Sequence, residues 1–248
     1  MHRFYLPPES SGHGDEIFLT GREAHHALHV LRVRRGESVT VLDGAGHEMV
    51  CDVQQSDRDK IRLCVRERKD AAPLPCQITL LQALPKGKLI ESIVQKATEL
   101  GAARIVPLLS ERVVVDLKDK AAARKAAKWQ LVAIEAMKQC GAPWLLRVAE
   151  PVTPEEFLAR EETFDLALVG SLQPDAKHPG EYLRNLSRPK SAAIWIGPEG
   201  DFTPAELDAI KAKGAHPITL GPLVLRTETA STYCLSILNY ELRSEPAR

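Results

Sequence analysis

The sequence contains no run of about 18 apolar residues and no charged-then-apolar leader after Met1, so it predicts neither a membrane span nor a secretory signal, and the cytoplasm is the expected address. Neither charge is in excess. The 33 basic and 33 acidic residues cancel, which excludes a general attraction for polyanions and makes any nucleic-acid contact a local one. There is no CxxC pair: the five cysteines (Cys51, Cys64, Cys76, Cys140, Cys234) are scattered and odd in number, and read as reduced core thiols rather than zinc ligands or disulfide halves. The GxxxxGK[ST] phosphate loop, the GxGxxG dinucleotide turn, the HExxH metal helix and the GxSxG serine elbow are all missing. Nucleoside triphosphate, NAD, metalloprotease and serine hydrolase readings fall with them. No internal repeat and no low-complexity tract occurs.

What is present is ample material for a core, with 44% hydrophobic residues over 248 positions, enough for one large domain or two small ones. Residues 1–70 carry short alternating runs at 16–19, 38–42, 48–54 and 60–66, with the turn Asp43-Gly44-Ala45-Gly46 and one short helix over 22–32. This predicts a small β domain, a barrel or a sandwich. The proline-rich joint at 70–75 divides the chain into 1–72 and 73–248.

Beyond the joint, strands predicted at 77–84, 105–108, 145–149, 165–169, 192–196 and 217–220 alternate with helices. One helix covers 88–100, with Leu89, Ile93, Ala97 and Leu100 on its apolar face and Gly101 as its stop; a long one covers 120–139, and a short one begins at Thr153-Pro154. That alternation predicts an α/β domain with a largely parallel sheet. Two basic clusters, Arg32/Arg34/Arg35 and Lys118/Lys120/Arg124/Lys125/Lys128, read by themselves as solvated faces. His25 and His29 are one helical turn apart, but with no placed acidic or cysteine ligand they predict a surface helix rather than a metal site.

Two glycine turns near the C-terminus carry the chemistry. Ile196-Gly197-Pro198-Glu199-Gly200-Asp201-Phe202 and Leu220-Gly221-Pro222-Leu223-Val224-Leu225-Arg226-Thr227-Glu228-Thr229-Ala230 each follow an apolar strand-like run, and each turn is followed by a helical pattern. Ligands of open α/β sheets lie at such strand ends, and glycine lets the backbone approach them closely. A pocket of main-chain groups with Ile196, Leu220, Leu223 and Leu225 suits an adenosine-like ligand.

These two stretches resemble the signature of the RsmE family, the uridine-N3 methyltransferases of 16S ribosomal RNA within the SPOUT superfamily of knotted RNA methyltransferases. The resemblance continues, in the family's order, through Arg3-Phe4-Tyr5, His26, Val30-Leu31-Arg32, Leu42-Asp43-Gly44, Lys96 to Gly101, Ile105 to Leu108, Ser110-Glu111-Arg112, Glu135-Ala136 and Gln139-Cys140-Gly141, so it covers nearly the whole chain. Two positions depart from it: Asp201 stands where the family usually has a second glycine, and Ala142-Pro143 where it often has Arg-Asn. Asp201 is expected to cap the helix beginning near Thr203-Pro204.

The resemblance implies a PUA-like β-barrel domain that binds RNA, then a SPOUT α/β domain with a trefoil knot and the cofactor site in about residues 165–230. It implies S-adenosylmethionine as cofactor, no metal, a homodimer with its site near the subunit interface, and 16S rRNA of the small subunit as partner. The cofactor would be held by Ile196, Gly197, Pro198, Glu199, Gly200, Leu220, Gly221, Leu223 and Leu225, with Leu172 and Pro174 as a third wall. Arg226 would stabilise or position the substrate, held by Glu228 or Glu199. Arg3, Tyr5, His26, Arg32, Arg34, Arg35 and Lys86 would contact RNA. Lys96 and Glu99, three apart on one helix, are expected to pair on its surface. A catalytically inert RNA-binding or ribosome assembly factor, and a SPOUT methyltransferase with another RNA target, remain as alternatives. The near-zero net charge predicts a preference for assembled small subunits over naked RNA.

Overall fold

The computed structural model describes residues 1–12, 14–57, 59–113, 119–184 and 188–243. Lys118 and the side chain of Lys120, both in the second basic cluster, lie outside the described residues. The chain divides into two compact units, one made of Met1–Pro73 with Ile134–Leu145 and the other of Leu74–Ala133 with Leu146–Arg248.

In the first unit, β1 (Arg3–Tyr5), α1 (Pro8–Ser11), β2 (Glu16–Thr20), α2 (Gly21–His25), β3 (Ser38–Leu42), β4 (His47–Ser56) and β5 (Lys60–Asp70) follow in order. The strands form one mixed sheet, β1-β3-β4-β5-β2, in which β1 runs parallel to β3 and the other pairs are antiparallel. Alternation puts Met49, Cys51 and Val53 of β4 and Ile61 and Leu63 of β5 into a core with Phe4, Leu19, Val39 and Val41. Register shifts at Val50/Cys51 and Val53/Gln55 are bulges that curl the sheet around this core.

The single helix expected over 22–32 is instead α2 followed by a wider π turn over His26–Val30, where Leu31 N bonds His26 O at 3.0 Å. Arg32, in the left-handed region at φ 55°, ends it. The turn after β3 is held by Asp43, whose Oδ1 accepts from Ala45 N at 2.8 Å and His47 N at 3.0 Å. Gly46 has φ 100°, and a Cβ there would lie 2.5 Å from the Trp144 ring, so no other residue fits.

The second unit runs β6 (Gln77–Ala83), α3 (Leu89–Glu99), β7 (Arg104–Leu108), α4 (Asp119–Cys140, whose last turns belong to the first unit), β8 (Arg147–Val148), α5 (Pro154–Leu158), β9 (Leu166–Gly170), α6 (Gly180–Leu183), β10 (Ser191–Ile196), α7 (Pro204–Ala212), β11 (His216–Ile218) and α8 (Thr227–Arg243). Its six strands are all parallel, in the order β11-β9-β10-β6-β7-β8. Trp195 sits at the heart of one face of this sheet, edge-on to Phe157 at 5.3 Å and to Phe202 at 6.5 Å. Both α5 and α7 start with a full capping box and a proline in the first turn.

Three expectations are corrected here. The buried stripe of α3 is Ile90, Ile93, Val94 and Ala97, the i, i+3, i+4, i+7 set; Leu89 opens the helix one position out of phase and is exposed. The strand expected over 145–149 shrinks to Arg147–Val148, because Leu145 N is bonded to Gly44 O instead of a neighbouring strand. Of the cysteines, Cys51, Cys76 and Cys234 are core thiols that burial pushes up to about 12, 11 and 12 respectively, but Cys64 is half-buried and Cys140 exposed.

Candidate functional site

At the C-terminal ends of β9, β10 and β11 the chain encloses a cavity of about 260 Å³. It is lined by Gly170, Ser171 and Leu172 at the end of β9; by Ile196, Gly197, Pro198, Glu199 and Asp201 at the end of β10; by Leu220, Gly221 and Leu223 to Arg226 after β11; and by Thr227 and Ala230 of α8. β10 lies between β9 and β6, so the chain reverses its direction across the sheet at this point, the place where open parallel sheets take ligands. Residues between β11 and α8 belong to no strand or helix, which leaves their main-chain groups outside any ladder. Around the mouth, Leu172, Leu223 and Val224 are 63%, 72% and 76% exposed, an apolar rim that a ligand or a partner would cover.

A buried polar network fixes the cavity from behind. Gln82, fully buried on β6, donates from Nε2 to Ala83 O at 2.9 Å and to Thr227 Oγ1 at 3.0 Å. Thr227 Oγ1 in turn donates to Gly197 O at 2.9 Å, and Ser231 Oγ closes the set against Gln82 Oε1 and Thr227 O. The first turn of α8 is thereby tied to the glycine turn of β10. Sequence reading missed Gln82, Thr227 and Ser231; the one available signal was a glutamine inside an otherwise apolar strand.

Other site residues fall as follows. Glu199 Oε1 accepts from Lys86 N at 3.0 Å, so Lys86 sits beside the cavity, its side chain exposed. Arg226 lines the cavity just before α8, and among the described residues it forms no ion pair with Glu199 or Glu228. Glu199 accepts from Lys86 N, and Glu228 lies on α8 outside the lining. Pro174 and Gly200 line a neighbouring cavity, and Asp201 N bonds Pro198 O at 2.9 Å across the glycine turn. Lys96 and Glu99 pair at 2.7 Å on α3.

In the first unit, Arg3 is committed to structure, its Nη1 donating to Lys138 O at 3.3 Å and Gln139 O at 3.0 Å at the end of α4. Lys138, itself buried, pairs with Glu23 at 2.9 Å, and Glu23 also takes Tyr5 N at 3.0 Å. Tyr5 is half-buried, and burial with the Glu9 and Asp43 carboxylates raises its phenol above the ordinary range. His26 is half-buried, edge-on to Phe4 at 6.4 Å; His25 and His29 stand with ring centroids 4.7 Å apart. Arg32, Arg34 and Arg35 are exposed.

Comparison with known proteins adds a second, independent line. A family model described as an RNA methyltransferase domain matches residues 72–239, and one described as an RNA methyltransferase PUA domain matches residues 19–63. The chain is 34% identical over 248 residues to ribosomal RNA small subunit methyltransferase E of Bacillus subtilis, covering 97% of each protein. To the protein of that name from Synechocystis it is 35% identical over 233 residues, covering 92% of this chain and 74% of the relative. The chain belongs to the ribosomal RNA small subunit methyltransferase E family.

Among solved structures, the methyltransferase E of Neisseria gonorrhoeae bound to S-adenosyl methionine superposes with a TM-score of 0.85 at 29% identity, covering 97% of each chain. A Legionella pneumophila structure in complex with its bound cofactor SAM gives 0.86 at 32% identity and 96% of each chain. Against this methyltransferase E background, Asp201 becomes intelligible. Its φ of 62° is the left-handed conformation that a glycine would take there without strain, and its Oδ1 accepts from Phe202 N at 2.8 Å. It does not cap α7; Thr203 does, accepting from Glu206 N at 3.3 Å.

Proposed function

We propose that this protein methylates N3 of a specific uridine in 16S rRNA of the small ribosomal subunit, using S-adenosylmethionine, in the cytoplasm. The observation that carries the reading is the cavity at the ends of β9, β10 and β11, walled by glycine turns and aliphatic side chains with few charges. That donor set fits an adenosine with a cationic sulfur: main-chain groups of Gly197, Leu220 and Gly221 for the polar edges, and Ile196, Leu223, Leu225 and Ala230 for the faces. When bound, the cofactor supplies a sulfonium methyl carbon, and transfer forms a N3–C bond while the C–S pair returns to sulfur and the N3 proton leaves to water.

The chain's own residues hold and orient. Arg226, at the cavity edge before α8, is placed to stabilise the negative charge that gathers on the uracil oxygens as the proton departs. Glu199 anchors Lys86 N and so brings a lysine to the mouth, where it meets phosphate. Exposed Arg32, Arg34 and Arg35 are the first unit's phosphate contacts, and His26 and Tyr5 its further RNA contacts; Arg3 acts chiefly by holding the helix end. The family's trefoil knot in about residues 165–230 and a homodimer complete the reading. The dimer is supported by large side chains left in solvent on α8, Tyr233 at 44% and Tyr240 at 71% exposed, and is checked by light scattering after gel filtration.

The test incubates the purified protein with labelled S-adenosylmethionine and small subunits lacking the modification, then identifies the labelled nucleoside. N3-methyluridine at one site is expected, falling by about 100-fold in Arg226→Ala, the scale of one lost electrostatic donor. Another labelled nucleoside, or none despite cofactor binding, refutes the proposed target. No cofactor binding refutes the enzyme.

A further inference from the structure

A second cavity, of about 610 Å³, adjoins the first and shares Leu172 and Asp201 with it. No role described so far uses it. Its walls are of two kinds. Pro174, Phe202, Pro204 and Leu207 offer apolar surface, while Arg112, Gln173, Asp201, Asp208 and the Lys211–Asp175 pair, at 2.5 Å, offer polar groups. Apolar walls with an amide and a guanidinium form the chemistry that receives an unstacked base.

Arg112 is held in place by a built arrangement. The segment Ser110–Glu111 after β7 is clamped by Glu206 of α7, which accepts from Ser110 Oγ at 3.0 Å and Glu111 N at 3.0 Å while also taking Thr203 N at 2.9 Å. Arg112 Nη1 then donates to Gly200 O, using one of the five guanidinium N–H groups. The cation is thus fixed beside the glycine turn of β10, at the rim of the second cavity.

Resting on the methyltransferase reading, we propose that this second cavity receives the acceptor uracil and that Arg112 donates to its carbonyl oxygen. In-line displacement brings the acceptor nitrogen to the methyl carbon from the side away from sulfur, so acceptor space must be continuous with donor space. Leu172 and Asp201 line both cavities and so set the two spaces side by side. As the N3 proton leaves to water, charge builds on O2 and O4, and a guanidinium bonds the charged oxygen more strongly than the neutral one. A protein with no net charge has no general pull on RNA, so a local cation of this kind also helps seat the base.

The test compares wild type with Arg112→Ala, Arg112→Lys and Gln173→Trp, the last placing bulk at an exposed position of the cavity wall. Cofactor affinity is measured by calorimetry, and single-turnover methyl transfer is measured against small-subunit concentration. Arg112→Ala is expected to leave cofactor Kd within about two-fold, a fraction of a kcal/mol, and to slow transfer by roughly 100-fold, with partial rescue in Arg112→Lys. Gln173→Trp is expected to bind cofactor normally and to block transfer. Loss of cofactor affinity in step with transfer would place the methionine end of the cofactor in this cavity and overturn the proposal, as would unchanged transfer in both Arg112→Ala and Gln173→Trp. A wild type that binds no cofactor or labels no RNA fails before any variant is read, which separates failure of the function from failure of the subsite.

Discussion

Replacing Thr227 by valine tests the frame behind the cavity. The change keeps the side chain's shape and removes one hydroxyl that both accepts from Gln82 Nε2 at 3.0 Å and donates to Gly197 O at 2.9 Å. Gln82 and Thr227 are 0% and 4% exposed, so no water replaces the bond to the amide. A buried polar group left without its partner costs about 1–3 kcal/mol, and two groups lose one here. Gly197 O is only partly buried and recovers some of its loss from solvent. A destabilisation of about 2–4 kcal/mol is expected, a fall in Tm of roughly 5–12 °C for a chain of this size. Because Gly197 lines the cavity, cofactor affinity should fall as well. Thr227→Ser retains the hydroxyl and should lose less than about 1 kcal/mol. The assay is thermal and urea unfolding of both variants with cofactor titration alongside. Thr227→Val within about 0.5 kcal/mol of wild type, the ordinary scatter of surface changes, would show that the network does not hold the turn, and the account of the site's rigidity would fall.

Other expectations rest on the first unit. Gly46→Ala places a Cβ 2.5 Å from the Trp144 ring at φ 100°, and should lower the stability of that unit by about 2 kcal/mol or more through combined clash and backbone strain; an unchanged Tm would contradict the packing. His47 is held above its ordinary pKa, first by its hydrogen bond to Asp43 at 2.5 Å and then by that carboxylate's charge. A raised folded pKa gives stability that is fully present below the unfolded pKa, near 6.5, and is lost as pH rises through the folded value. Urea midpoints should therefore fall with rising pH through the neutral range, and His47→Asn should flatten that part of the profile; a profile of the same shape in the variant would remove His47 as its cause.

The residues that announced the site share one property: their chemistry is local. Ile196 to Gly197 and Leu220 to Gly221 read as a strand end followed by a glycine turn because an apolar run and a missing Cβ are visible without knowing what lies opposite. The cavity lining after β10 and β11 was legible through this local pattern. What escaped was whatever depended on distant partners. Gln82 lies 145 positions from Thr227 and 149 from Ser231, and the packing of α8 against β6 brings them together. Leu89 was misplaced because, as the first residue of α3, it sits at the edge of the buried stripe, and spacing alone does not say where that stripe ends. Which of two adjoining cavities Pro174 and Gly200 line depends on how the loops after β9 and β10 fold, which no spacing reveals.

The distribution of charge around the site follows from the same geometry. Everything that fixes the cavity from behind is neutral: an amide, two hydroxyls and main-chain carbonyls. Buried ions there would carry a desolvation cost and would either repel a sulfonium or hold it too firmly, whereas satisfied neutral groups set shape without a field of their own. The charged groups, Glu199, Arg226 and Lys86, stand at the edge, and Arg112 stands beyond the shared wall. Water screens them until a substrate covers them, so their pull grows as the substrate arrives. A neutral back wall and a charged rim therefore divide the work: the first fixes where the methyl donor sits, and the second acts on the charge that appears only when the acceptor gives up its proton.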